Sequence, residues 1–241
     1  ISSAARRRKS SSADVQAPVT KGSTGAFVPE VVLEHPAAIE HLHREFLHAG
    51  SDVVEAFTYY GHREKLCLIG KEDLLEDLNR HAVRIARKVA NEGDALVAGN
   101  VCNTNIFLGE DQKSKDDARA MFEEHVGWAV EEDVDCIIAE TFSWSEEAEI
   151  ALDVVRQTGL PSVITMAIHR DPETYEGLSP EDCCKRLEDA GADVVGLNCI
   201  RGPDTMLPDA AKDSSGCEMP RGCASRALPN KRCRTHLPPS A

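Results

Sequence analysis

The chain has 241 residues, of which 41% are hydrophobic and 28% are charged, and its formal net charge is -14. This length and apolar content suit one domain with a sizeable core. The acidic balance argues against nucleic-acid binding, which needs clustered Lys and Arg, and no apolar stretch is long enough to cross a bilayer. Nine cysteines, scattered rather than spaced as a disulfide framework, indicate a reducing, cytoplasmic compartment.

The chain divides into three parts. Residues 1–25 contain the basic run Arg6-Arg7-Arg8-Lys9 among serines, and we expect a disordered or divergent arm that weakly resembles a transit peptide. Residues 26–208 carry the apolar periodicity of a folded domain. Residues 209–241 have several prolines, many small and polar residues and no periodicity, and are predicted to be disordered.

Helix and strand patterns alternate along the middle part. Apolar residues at helical spacing predict helices over 34–50, 74–93, 116–132, 145–158 and 180–190, four of them ended by Gly50, Gly93, Gly159 and Gly191. Short apolar runs predict strands over 51–60, 95–101, 134–140, 161–168 and 192–199. Because helices separate the strands, the strands should be parallel and buried on both faces. The sequence therefore predicts an α/β fold, an incomplete (β/α)8 TIM barrel of about five parallel strands.

Polar and aromatic residues follow each predicted strand. In a parallel barrel the carboxyl ends of the strands meet on one face, where the chemistry is done. The residues that we expect at this face are Thr58, Tyr59, Tyr60, Asn100, Cys102, Asn103, Glu140, His169, Arg170, Asn198 and Cys199. Of these, His169 and Arg170 either bind a substrate carboxylate or form a surface turn. This convergence is the main indication of an enzyme.

Glu140 and the aromatic residues suggest a site for a cation. Glu140 ends an apolar run, and its buried carboxylate needs a partner, either a bound ammonium group or a backbone turn that it caps. Phe57, Tyr59 and Tyr60 are dense in a chain that is only 5% aromatic. Their rings either hold a quaternary ammonium or sulfonium cation or pack into the surrounding helices.

The cysteines offer one metal-ligand candidate. Cys199 ends a strand that we expect to be buried. Its thiolate is either a ligand for zinc, or its small side chain simply fills space in the core. Cys183 and Cys184 follow a helix N-cap at Ser179, so their side chains should diverge and share no metal. The tail ligands lack the short C-x-x-C spacing and are interpreted as accidental: Cys217, Cys223, Cys233 and His236.

Five segments resemble the homocysteine S-methyltransferases, and most of all their betaine-homocysteine branch. They are residues 31–36 (VVLEHP), 43–47 (HREFL), 56–60 (AFTYY), 138–142 (IAETF) and 196–199 (GLNC). The resemblance implies a (β/α)8 barrel that binds zinc through three cysteines. It further implies that zinc favours the thiolate form of homocysteine, and that this thiolate takes a methyl group from a cationic donor.

The resemblance also assigns roles to individual residues. Cys199 matches the first zinc cysteine, Glu140 the carboxylate that holds the homocysteine amino group, and Tyr60 an aromatic residue near the methyl donor. We expect Thr58 and Asn198 to contact substrate as well. Phe27 falls where the betaine enzymes tend to carry Trp, so the donor cage should differ.

Two family motifs are absent from the sequence. The Gly-Gly-Cys-Cys-Gly motif would supply the second and third zinc ligands, and the Asp-Gly-Gly loop belongs to the first strand. We therefore expect a zinc-dependent methyltransferase by family that forms methionine from homocysteine and a betaine-like donor, but with impaired activity.

Two other functions stay open. One is a non-catalytic fragment that binds a small cation or, through open barrel edges, a partner chain or further copies of itself. The other is a different barrel enzyme, such as an aldolase or a pterin-using transferase.

Overall fold

The computed structural model describes residues 29–169 and 173–200, together with residues 202, 204 and 206. In these ranges five strands form one sheet in the order β1-β2-β3-β4-β5, and each neighbouring pair is parallel. The strands are β1 (Val53–Glu55), β2 (Leu96–Cys102), β3 (Cys136–Phe142), β4 (Ser162–Met166) and β5 (Val194–Leu197). The predicted α/β fold resembling a partial TIM barrel is confirmed.

Two helices precede β1, and further helices connect the successive strands. They are α1 (Val31–Glu34), α2 (Pro36–His48), α3 (Arg63–Cys67), α4 (Leu75–Gly93), α5 (Gln112–Glu131), α6 (Ser145–Thr158) and α7 (Pro180–Asp189), with a 3-10 turn at Glu72–Leu74. All five predicted helices are present, whereas the short helices α1 and α3 were not predicted. Helix α5 begins four residues before its predicted start because the Asp111 side chain accepts a hydrogen bond from the Lys113 amide at 3.1 Å and caps the helix there.

Local capping explains the other helix ends. Ser179 caps α7 as predicted, since its hydroxyl accepts a hydrogen bond from the Asp182 amide at 3.1 Å. Gly159 follows α6 with a φ of 74°, the left-handed conformation that glycine adopts without strain. Helix α4 ends at Gly93 as predicted, although it is the following residue, Asp94, that takes the left-handed cap position with a φ of 58°.

The core lies between the sheet and the helices that cover it. Every residue of β2 is buried, as its Val- and Ala-rich sequence without strict alternation predicts. A Cβ atom at Gly99 would lie 2.8 Å from both the Ala129 Cβ and the Ile137 Cδ1, so the glycine lets α5 approach β2 closely. Phe122 of α5 and Phe142 of β3 pack edge to face across this layer, with ring centroids 6.0 Å apart.

The two edge strands differ from their predictions. The ladder covers only three residues of β1 and four of β5, where longer strands were expected. The prediction that all strands are buried on both faces is wrong for β5, because Val194 is 41% exposed and the rest of the strand is partly exposed. Both strands pair with one neighbour only within the described ranges, so one side of each lacks the cover that β2 and β3 have.

Several predictions concern residues outside the described ranges. They are the arm 1–25, Phe27, Arg170 and the tail 209–241 with its cysteines and His236. Among the helices that the structure describes, none combines the length and the apolar character required for a membrane span.

Candidate functional site

The carboxyl ends of four strands bring polar side chains into one hydrogen-bonded row. Asn100 of β2 donates through Nδ2 to Glu55 Oε1 of β1 at 2.7 Å and to Glu140 Oε1 of β3 at 2.8 Å. Asn198, which follows β5, donates through Nδ2 to Glu140 Oε2 at 2.8 Å and to Thr141 Oγ1 at 2.9 Å. Directly hydrogen-bonded side chains up to 58 residues apart in sequence therefore meet at one end of the sheet.

Glu140 lies at the centre of this row. Each of its carboxylate oxygens accepts a hydrogen bond from a different asparagine, and the Thr141 hydroxyl lies 3.3 Å from Oε2. These bonds fix the orientation of the carboxylate. The Oδ1 of Asn198 is buried and accepts no hydrogen bond from the residues that the structure describes. A carboxylate beside an unused acceptor suits a ligand group that carries several donors.

Glu55 is a site residue that the sequence analysis missed. Burial and, to a smaller extent, the nearby charge of Glu140 together raise the pKa of Glu55 to about 7, against the opposing effect of the hydrogen bond from Asn100. The pattern that singled out Glu140 also applies here, since Glu55 ends the apolar run Val53-Val54 in the same way. The short length of that run concealed it.

A cavity of about 370 Å³ opens beside the two carboxylates, between α2 and the β1 edge. Glu55, Glu140 and Asn100 line it from the sheet, and His43 and Phe46 line it from α2. The remaining lining residues are Leu42, Ser51, Val53, Val54, Ala56, Phe57 and Tyr59. The cavity thus combines two carboxylates with apolar and aromatic walls, the composition that a small organic cation requires.

The three aromatic residues after β1 have different environments. Phe57 and Tyr59 line the cavity, and burial raises the pKa of Tyr59. Tyr60 is not among the lining residues; the ammonium of Lys65 lies 4.4 Å from its ring centroid, and its ring packs 4.4 Å from that of Tyr59. One face of the ring predicted to contact a methyl donor is therefore covered by a cation of the protein itself.

Thr58 lies away from this cavity. Its side chain is buried, and its hydroxyl donates to the carbonyl oxygen of Asn100 at 3.1 Å. It lines a separate, very small cavity together with His62 and His125. The structure thus gives Thr58 a supporting contact with the backbone of Asn100, one step behind the carboxylate row.

Cys199 lies directly after Asn198 but is exposed, and its φ of 60° places it in the left-handed region. The expectation that it ends a buried strand is wrong, because β5 stops at Leu197. In the part of the chain that the structure describes, no group of three or more His, Cys, Asp or Glu side chains is placed to hold a metal ion. The described residues therefore do not fit a zinc site of the predicted kind.

The buried cysteines of the described ranges are unsuited to reactive roles. Burial raises the pKa of both Cys102 and Cys136 to about 12, which keeps these side chains as thiols. Cys183 and Cys184 are buried in α7, where they pack as small apolar side chains. At the end of β4, His169 stacks on Tyr175 with centroids 4.9 Å apart, and its Nε2 hydrogen-bonds the Ser143 hydroxyl at 2.9 Å.

A parallel sheet covered by helices, with its polar side chains and a cavity at the carboxyl ends of the strands, defines an α/β protein of the barrel type. A family model for homocysteine S-methyltransferases matches residues 7–234. The chain belongs to the homocysteine S-methyltransferase family, and the resemblance seen in its motifs is confirmed.

Curated relatives support this membership. The chain is 40% identical over 196 residues to betaine–homocysteine S-methyltransferase 1 of Danio rerio, an alignment covering 80% of this chain and 48% of the relative. It is also 40% identical over 185 residues to the S-methylmethionine–homocysteine S-methyltransferase BHMT2 of Pongo abelii, covering 76% and 48%. The chain spans about half the length of these relatives.

Solved structures support the fold. The metallated homocysteine methyltransferase MmuM from Escherichia coli superimposes with a TM-score of 0.63 at 20% identity, covering 78% of this chain and 69% of that one. At this identity the likeness concerns the fold alone.

Proposed function

We propose that the chain binds homocysteine at the carboxyl ends of the strands, with Glu140 holding its ammonium group. The main support is the fixed carboxylate between Asn100 and Asn198, in a chain of this family. An ammonium has three donors, and the carboxylate and the unused Asn198 Oδ1 are acceptors that suit it. Charge-assisted hydrogen bonds of this kind are the strong ones.

The proposed reaction is methyl transfer from an onium donor to the homocysteine sulfur. The thiol loses its proton, the sulfur electron pair forms a bond to the methyl carbon, and the bond from that carbon to the onium atom breaks. Methionine and a donor with one positive charge fewer are the products. One relative is named for betaine and another for S-methylmethionine, and both are 40% identical to this chain. Identity therefore does not select the donor, and we assign it only as a betaine-like onium compound.

We further propose that this transfer is impaired. The family resemblance implies zinc on three cysteines, whereas Cys199 is the one match in this sequence and its surroundings in the described ranges supply no second or third ligand. A site reduced in this way should lose most of its zinc affinity. Binding of the amino acid depends on Glu140 and its asparagine partners, so it should persist when transfer fails.

The test measures binding and transfer separately on the full chain. Calorimetry should detect L-homocysteine binding that weakens by roughly 10- to 100-fold in Glu140→Gln, the range expected for a charge-assisted hydrogen bond. Glu147→Gln is the matched control, because Glu147 is also a buried carboxylate but is held by Thr104 outside the cavity. Equal affinity in the wild type and Glu140→Gln would disprove the binding role.

Methionine formation is then followed with betaine or S-methylmethionine, with and without added zinc. We expect little turnover under all of these conditions. Turnover comparable to the Danio rerio relative, assayed in parallel, would contradict the proposed impairment.

The exposed edges favour a second function, that of a module that associates with other chains. Phe46 on α2 is 58% exposed beside β1, and Val194 on β5 is 41% exposed. Such edges offer unpaired backbone groups and apolar surface. Light scattering on the purified chain distinguishes the alternatives, because a concentration-independent monomeric mass would exclude association.

A further inference from the structure

The two carboxylates beside the cavity are hydrogen-bonded unequally. The single amide nitrogen of Asn100 donates one hydrogen to Glu55 and the other to Glu140. Glu140 also receives the amide of Asn198, whereas Asn100 is the donor that Glu55 has among the described residues. Hydrogen bonds to a carboxylate favour its charged form. With this one donor, Glu55 has little to offset its burial beside a second carboxylate, and it readily keeps a proton.

A buried histidine on the opposite wall points to a ligand. His43 of α2 lines the cavity and is only 6% exposed, and its Nε2 has no hydrogen-bond partner in the part of the chain that the structure describes. Burial lowers the pKa of His43, so the imidazole is neutral at pH 7. Buried polar atoms in proteins are almost always paired. The ring nitrogen is therefore available to a polar group of a molecule in the cavity.

No cationic side chain of the described residues lines this cavity. The Arg and Lys side chains of α2 and α4, which pack on β1, are paired elsewhere: Arg44 and Lys88 bind Glu40, Arg80 and Arg84 bind Glu132, and Arg87 binds Asp135. From β2 and β3 the groups near Glu55 are Asn100, Glu140 and the thiol of Cys136. A positive charge that offsets both carboxylates must therefore come from the ligand.

We propose that Glu55 is a second anionic contact for the ammonium group of the ligand, and that the arriving cation displaces a proton from Glu55. This inference rests on the proposed function in that Glu140 holds the same ammonium. Charge balances, because one cation enters the cavity and one proton leaves to solvent. His43 Nε2 completes the site as a neutral hydrogen-bonding group. Glu55 thereby makes the affinity for ammonium ligands depend on pH near neutrality.

The first experiment counts protons by calorimetry with the full chain and two probes, ethylammonium chloride and L-homocysteine. Titrations in two buffers of different ionisation enthalpy give the number released. Near pH 7, where Glu55 is half-protonated, the wild type should release about half a proton per ligand, rising towards one near pH 5.5. Below about pH 7 the affinity for the ligand should increase as the pH rises, by up to about tenfold per pH unit. Glu55→Gln should release none and bind with little dependence on pH.

The second experiment observes Glu55 without relying on catalysis. Carbon-13 NMR of glutamate carboxyl groups should show Glu55 titrating near neutrality, with its midpoint shifted down in Glu140→Gln and its signal moved by ethylammonium. The Glu147 signal serves as the control, since this buried carboxylate bonds Thr104 and should not respond to the ligand. Glu55→Asp retains a carboxylate and should restore proton release, which separates the proton role from a folding defect.

The outcomes distinguish this inference from the proposed function. Equal proton release by the wild type and Glu55→Gln, or a Glu55 signal that ethylammonium does not move, would overturn the role of Glu55. Proton-linked binding of ethylammonium without any binding of homocysteine would instead refute the proposed function and leave the role of Glu55 intact.

Discussion

The raised pKa of Glu55 leads to a quantitative prediction for the stability of the protein. In the unfolded chain Glu55 titrates near 4.5, whereas in the folded protein it titrates at about 7. As the pH rises through this interval, the unfolded state loses its proton first while the folded state retains one. The slope of stability against pH is therefore negative, and the stabilising effect of the protonated side chain is fully present below the lower value and lost above the upper one.

The magnitude follows from the width of this interval. The two pKa values differ by about 2.5, and each pH unit corresponds to about 1.4 kcal/mol, so the wild type loses about 3 kcal/mol at this site between about pH 4 and pH 8. The variant Glu55→Gln keeps an oxygen that accepts the hydrogen bond from Asn100 Nδ2 but does not titrate. Relative to the wild type, Glu55→Gln should therefore be about 3 kcal/mol more stable at the higher pH than at the lower pH.

Urea denaturation of both proteins at the two pH values measures this difference. Other titrating groups are common to the wild type and the variant, so the difference between the two proteins isolates Glu55. Glu147→Gln provides a second comparison, because burial raises the pKa of Glu147 as well. Glu140 is not among the groups that shift the pKa of Glu147, so the pH dependence of this variant's stability should not depend on Glu140. A stability difference between wild type and Glu55→Gln that is the same at both pH values would refute the reasoning.

Three further predictions concern the scaffold. Gly99→Ala should lower the free energy of unfolding by about 1–3 kcal/mol, because the new Cβ would lie 2.8 Å from Ala129 and Ile137. An unchanged midpoint in urea denaturation would show that α5 moves away from β2 without a cost in stability. Ser179→Ala should cost about 1 kcal/mol in thermal unfolding through loss of the α7 N-cap, with Ser179→Asp as a control that retains a capping oxygen. Burial lowers the pKa of His62 to about 4, so the unfolded chain takes up a proton at this residue before the folded protein does. As the pH falls from about 6.5 to 4, the wild type should therefore lose about 3 kcal/mol of unfolding free energy relative to His62→Gln. An equal loss of stability in the two proteins over this pH range would contradict the prediction.

The alternation of apolar runs and helical patterns was sufficient to predict the fold. Helix α6 and its glycine stop, the Ser179 cap of α7 and the fully buried β2 depend on neighbouring residues, so the sequence predicts them directly. The lengths of β1 and β5 were overestimated because a strand extends only as far as its partner pairs with it, and pairing involves residues distant in sequence. The start of α5 was placed too late because the cap at Asp111 precedes the apolar stripe.

The candidate site was only partly predictable. Glu140 and Asn198 were assigned to one face because parallel strands end together, and the structure shows them in direct contact. Glu55 and His43 were missed, because the first ends a very short strand and the second lies on an outer helix whose inward face is defined only by packing.

The sequence by itself determined the α/β class, the family and the acid that ends β3, because these depend on local pattern and on short motifs. Only the tertiary structure decided which carboxylates accept hydrogen bonds from the same Asn100 amide, which cation covers Tyr60, and that Cys199 is exposed beyond the end of β5. The physical reason is the same in each case. A carboxylate acquires its pKa, and an aromatic ring its partner, from groups across the sheet, and their distance is fixed only when the strands have paired.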